Sequence, residues 1–125
     1  MQRTQLLRQL IQQEGWSRTL VFVASKHAAE MVAEKLSKTG MQAEALHGER
    51  SQGRRTRVLQ SFKQSSAEEG ARVLVATDVA GRGIHVDGVS HVVNYNLPED
   101  PEDYVHRIGR TGRAGHIWRI NSVAT

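Results

Sequence analysis

Short apolar runs recur along this sequence, spaced widely enough to leave room for a helix between successive ones. Thr19 to Ala24 (TLVFVA) and Arg72 to Ala76 (RVLVA) are rich in branched residues, and neither alternates apolar with polar. A strand with one wet face must alternate; a strand covered on both faces need not, and that is the mark of a parallel sheet sandwiched by helices. Gln42 to Leu46 and Val89 to Tyr95 supply two more strands, and a last one is expected from Ile117. Gln5 to Gln13 sets Leu6, Leu7, Leu10 and Ile11 on one helical face, with an end expected near Gly15. Ser25 is placed to cap a second helix, whose stripe is Ala29, Val32, Ala33 and Leu36 and whose stop is Gly40. A third helix from about Ser51 should bury Val58, Leu59 and Phe62, and Pro98 and Pro101 open a short one carrying Tyr104, Val105 and Ile108. This order predicts an α/β fold: three layers, with a mainly parallel sheet flanked by helices.

At 125 residues the chain is sized for one domain with a single core. Its longest purely apolar run, Leu20 to Ala24, is far short of the roughly 18 residues of a membrane span. It has no cysteine, which excludes a disulfide framework and a thiolate metal site. No pair among the six histidines has metal-ligand spacing with a carboxylate nearby, so no metal site is expected. The opening MQRTQLLRQLIQQ lacks the apolar core of a signal peptide, and the chain is expected to be cytoplasmic with no membrane partner.

The net charge of +4 is mild, but 13 of the 17 basic residues are arginine. Arginine grips phosphate or carboxylate oxygens with a planar fork of donors, whereas lysine offers a point charge. The densest site is YVHRIGRTGRAG, Tyr104 to Gly115, where Arg107, Arg110 and Arg113 recur every third residue without a compensating acid. Gly109 and Gly112 lie between them and allow the backbone to approach a ligand closely. Unpaired guanidiniums held this near one another repel, and a polyanion relieves that repulsion. In open parallel sheets ligands bind at the carboxyl ends of the strands. Ser25, His47, Gly48, Thr77 and Asp78 all follow strands directly.

HRIGRTGRAG resembles the last signature motif of superfamily 2 helicases, and specifically that of the DEAD-box RNA helicases. Other segments agree, in the family's order: LVFVAS (Leu20 to Ser25), LHGERSQGRR (Leu46 to Arg55), ATDVAGRG (Ala76 to Gly83) and NYNLPEDPEDYVHRIGR. The resemblance runs from about Leu20 to Gly115 and implies a RecA-like domain. Neither a G-x-x-x-x-G-K-[ST] phosphate loop nor an Asp-Glu-Ala-Asp segment occurs in the sequence. In the family both belong to the first RecA-like domain, so the chain is expected to be the second domain alone and inert by itself. The resemblance implies ATP with Mg²⁺, held mainly by that absent N-terminal domain, which would be a partner along with RNA.

Site residues follow from the matching positions. Arg110 and Arg113 would be arginine fingers on the ATP γ-phosphate. His106, Arg107, Gly109, Asp78 and His85 would contact nucleotide or the facing domain. Ser25, Gly48, Gln52, Arg55, Thr77, Gly81, Arg82 and Gly83 would meet the RNA backbone, with Asp78 and Arg82 ordering the glycine turn. Contacts to phosphate and sugar imply little sequence preference. The chain has six aromatics and no cluster of them, which argues against a base-stacking sheet.

Two positions depart from the family pattern. His85 stands where an Asp usually accepts hydrogen bonds from the ATP ribose, and imidazole cannot offer two carboxylate oxygens. Trp118 stands where a Gly is usual, which weakens the expectation of a last strand over 117–125. Away from the motifs, Arg54 and Arg57 read as solvated helix charges, His27 and His91 as surface residues, and Trp16 as edge packing. Two other functions stay open on sequence: a stand-alone module that binds RNA phosphate without ATPase activity, and an α/β nucleotide-binding domain of unrelated function.

Overall fold

The computed structural model describes residues 3–16, 18–47, 53, 56–58, 60, 62, 72–77, 91–97 and 117–119, and among these seven helices and strands have defined bounds. They are α1 (Arg3–Glu14), β1 (Arg18–Val23), α2 (Lys26–Ser37), β2 (Gln42–Leu46), β3 (Arg72–Thr77), β4 (His91–Asn94) and β5 (Ile117–Arg119). Residues 53, 56–58, 60 and 62 are also helical. The strands form one five-stranded sheet in the order β2-β3-β1-β4-β5, and every neighbouring pair is parallel. The strand over 117–119 forms despite Trp118, with Ile117 level with Val92.

Alternation along each strand sorts the core onto two faces. Val21, Val23, Ala43, Ala45, Val73, Val75, Val93 and Tyr95 pack with α1 and α2. Their chain neighbours Leu20, Phe22, Leu46, Leu74, Ala76 and Val92 pack on the opposite face with Val58 and Phe62 of the helical stretch. Helices therefore cover both sides of the sheet, in the three-layer arrangement expected from the uninterrupted apolar strands. Phe22, Leu20 and Leu74 are fully buried, and each such side chain contributes about 1.5–3 kcal/mol by leaving water.

Glycines end the first two helices where the periodicity places them. Gly15 has φ +68, and the Trp16 amide reaches back to the Ile11 carbonyl at 3.1 Å. That is the six-to-one bond of a Schellman ending, and the accompanying contact is apolar: Trp16 and Ile11 share one core cluster. Gly40 has φ +91 and turns the chain from α2 into β2.

Three sequence expectations need correction. The first helix begins at Arg3, before Gln5, because buried Thr4 hydrogen bonds to the Tyr95 phenol at 2.8 Å. Trp16 is a core residue, only 4 % exposed. His91 is half-buried, with its ring stacked on Trp16 at 4.1 Å between centroids and 9° between planes. The fourth strand is observed over His91–Asn94. Val89, Leu59 and the short helix expected after Pro98 lie outside the described residues.

Candidate functional site

The parallel register brings four strand exits together along one edge of the sheet. Val23 is level with Thr77, Leu46 with Ala76, and Phe22 with Asn94. Ser25, His47, Thr77 and the Asn94–Leu97 turn thus lie at the carboxyl ends of neighbouring strands, where α/β sheets bind ligands.

Ser25 caps α2 from an extended conformation, with φ −144 and ψ 157, and its hydroxyl oxygen accepts the Ala28 amide at 3.1 Å. A hydroxyl has one donor besides its acceptor lone pairs, so the cap leaves the Ser25 O–H available to donate outward. Ser25 is exposed, and the first turn behind it holds no acidic residue. The helix start, with its partial positive charge, is therefore not offset locally. Thr77, by contrast, is 7 % exposed and closes β3 from within the packed edge.

Two asparagines shape the neighbouring exit from β4. Asn94 accepts the Leu97 amide at 2.8 Å and donates to the Leu97 carbonyl at 3.3 Å, which folds the chain into a tight turn. Asn96 then accepts the Ala24 amide at 2.7 Å, joining this turn to the residue just before Ser25. At the exit from β2, buried His47 sits 2.7 Å from the Glu30 carboxylate of α2. Among the described residues no group of three His, Asp or Glu side chains is placed to hold a metal ion.

Of the residues singled out from sequence, Ser25 and Thr77 share this edge. Gly48, Gln52, Arg55, Asp78, Gly81, Arg82, Gly83, His85, His106, Arg107, Gly109, Arg110 and Arg113 lie outside the described residues. Arg57 is exposed on its helix, in keeping with a solvated charge, and His27 is exposed as well. Sequence reading missed Glu30, Asn94 and Asn96 as parts of this edge. No periodicity marks them: Glu30 and Asn96 act through partners chosen by tertiary packing, and Asn94 closes a local turn with Leu97.

Residues 2–115 match the helicase conserved C-terminal domain. Over 110 residues the chain is 51 % identical to the ATP-dependent RNA helicase RhlB of Pseudomonas syringae pv. tomato, covering 88 % of this chain and 27 % of that protein. The chain belongs to the helicase conserved C-terminal domain family. It is the C-terminal RecA-like domain of a DEAD-box helicase. Solved structures agree with the assignment. S. cerevisiae Dbp5 bound to RNA and ADP BeF3 matches this helicase domain with a TM-score of 0.69 and 36 % identity, over 94 % of this chain and 30 % of that one. Mss116p DEAD-box helicase domain 2 bound to an RNA duplex matches with a TM-score of 0.66 and 25 % identity, over 94 % of this chain and 47 % of that one. The helicase domain spans about a quarter of the length of the curated relatives it matches. No described helix is long and apolar enough to cross a membrane.

Proposed function

We propose that this domain is the second half of a cytoplasmic ATP-dependent RNA helicase, closing with an N-terminal RecA-like domain over ATP, Mg²⁺ and RNA. The observation that carries the reading is the unbroken order of family motifs along the sequence from Leu20 to Gly115, together with described strands whose exits converge at one edge. Ser25 donates its hydroxyl to an RNA phosphate from the start of α2, where the helix field favours anions. Gly48, Gln52, Arg55, Thr77, Gly81, Arg82 and Gly83 extend that contact along the sugar-phosphate backbone without reading bases.

Arg110 and Arg113 stabilise negative charge developing on the γ-phosphate, a contribution on the order of 10³ to 10⁵ in rate for arginine fingers generally. His106, Arg107, Gly109 and Asp78 join the two domains around the nucleotide, and His85 offers the ribose a single hydrogen bond. The RNA complexes of Dbp5 and of Mss116p helicase domain 2 support an RNA-binding role for this type of domain. Closure couples the two ligands, because each is gripped from both sides only in the closed state.

The test uses the intact protein that contains this domain. Arg113→Ala should abolish RNA-stimulated ATP turnover and leave nucleotide binding largely intact; near-normal turnover refutes the finger role. The chain on its own should hydrolyse no ATP yet bind RNA with an affinity that falls steeply with salt. An intact gene product without a phosphate loop would instead favour the stand-alone RNA-binding module.

A further inference from the structure

The Glu30–His47 contact joins the two elements from which the proposed RNA contacts depart. Glu30 lies on α2, five residues beyond the capping Ser25, and His47 is the residue that leaves β2 immediately before Gly48. His47 Nε2 is 2.7 Å from a Glu30 carboxylate oxygen. A carboxylate only accepts, so Nε2 carries the hydrogen and donates it. The imidazole side chain is 9 % exposed and the carboxylate 52 %. The contact thus runs from a buried ring at the sheet edge to a half-open acid on the helix. His47 Nδ1 is also buried and has no hydrogen-bond partner among the described residues.

The placement is costly for a domain that binds a polyanion. A carboxylate this open on α2 repels phosphate and should weaken RNA binding by simple electrostatics. Stability gives it little justification, since one hydrogen bond to a half-open carboxylate makes a modest net contribution. What the pair does do is tie the exit of β2 to the helix that presents Ser25, so that two strand exits hold one spacing. A phosphate backbone has fixed spacing as well, and binding groups already at the right separation avoid an ordering cost on association.

We infer that Glu30 is a positioning residue for RNA binding, acting through the His47 imidazole to fix the β2 exit relative to Ser25. This inference rests on the RNA-binding reading above. Its test exploits the opposite signs of the two roles Glu30 can play. In Glu30→Gln the side-chain carbonyl still accepts from Nε2 while the charge is gone. In Glu30→Ala both are lost.

The measurement is fluorescence anisotropy of a labelled RNA duplex with a single-stranded tail, titrated with this chain at fixed low salt and well below its melting temperature. Glu30→Gln should bind as tightly as wild type or tighter. Glu30→Ala should bind about five- to tenfold more weakly, within the range expected from losing one intramolecular hydrogen bond. His47→Ala should weaken binding to a similar degree, and the double variant Glu30→Ala with His47→Ala should lose no more than either single one. Glu30→Ala binding as tightly as wild type, or tighter, overturns the positioning role, because it leaves only electrostatic repulsion or fold stability. Failure of the wild-type chain to bind this RNA is a different result; it overturns the RNA-binding reading and the inference with it.

Discussion

Replacing Ser25 with alanine removes the oxygen that accepts the Ala28 amide at 3.1 Å. It also removes the hydroxyl proton proposed to meet RNA phosphate. Loss of a serine cap costs about 1 kcal/mol. Unfolding entropy scales at roughly 2.1 cal/mol/K per residue, so for 125 residues that loss lowers Tm by about 4 °C. Aspartate at the same position separates the two roles. It caps as well as serine, and its charge suits the start of α2, which has no acid in its first turn. Ser25→Asp should therefore melt at or above the wild-type temperature. Its RNA affinity should nonetheless fall, because a carboxylate beside a phosphate at about 4 Å costs roughly 1 kcal/mol in water, or some fivefold in Kd. Thermal melts by circular dichroism give the first quantity and RNA anisotropy the second. Two results would refute the reasoning. An unchanged Tm in Ser25→Ala removes the cap's role, and wild-type RNA affinity in Ser25→Asp removes the phosphate from this turn.

Three further predictions concern the stability of the fold. Tyr95→Phe should destabilise by about 1–2 kcal/mol, because it strands the buried Thr4 hydroxyl that lies 2.8 Å from the phenol. Adding Thr4→Val should recover much of that loss, and a double variant as unstable as the sum of the singles would show that the two hydroxyls do not interact. Gly40→Ala should cost about 1–2 kcal/mol through backbone strain alone, since φ is +91 and an added Cβ meets nothing within 4 Å. Gly53→Ala, at a helical position equally free of contacts, should instead stabilise by about 0.5–1 kcal/mol, and equal effects at the two glycines in denaturant titrations would contradict this.

Periodicity and punctuation sufficed for the elements themselves. The doubly apolar run at Thr19 to Ala24 is a strand buried on both faces because a covered strand has no use for alternation. Ser25 caps and Gly15 and Gly40 turn because few residue types satisfy those backbone positions. The Arg and Gly spacing from His106 to Gly115, with the motifs before it, was enough to recognise the helicase domain without coordinates. Such signals are local: each states which face of an element is buried or where it stops. None of them names a neighbour in space. Strand order is one consequence, for β1 lies between β3 and β4, and that arrangement puts the exits at Thr77 and Asn94 on either side of Ser25's turn. The polar contacts of the edge are another. Ala24 meets Asn96 across 72 residues, Thr4 meets Tyr95 across 91, and Glu30 meets His47 across 17. A polar side chain in a sequence has many possible partners. Which one it takes is settled when packing removes water and leaves a single group within reach, as it does for the His47 ring and the Tyr95 phenol.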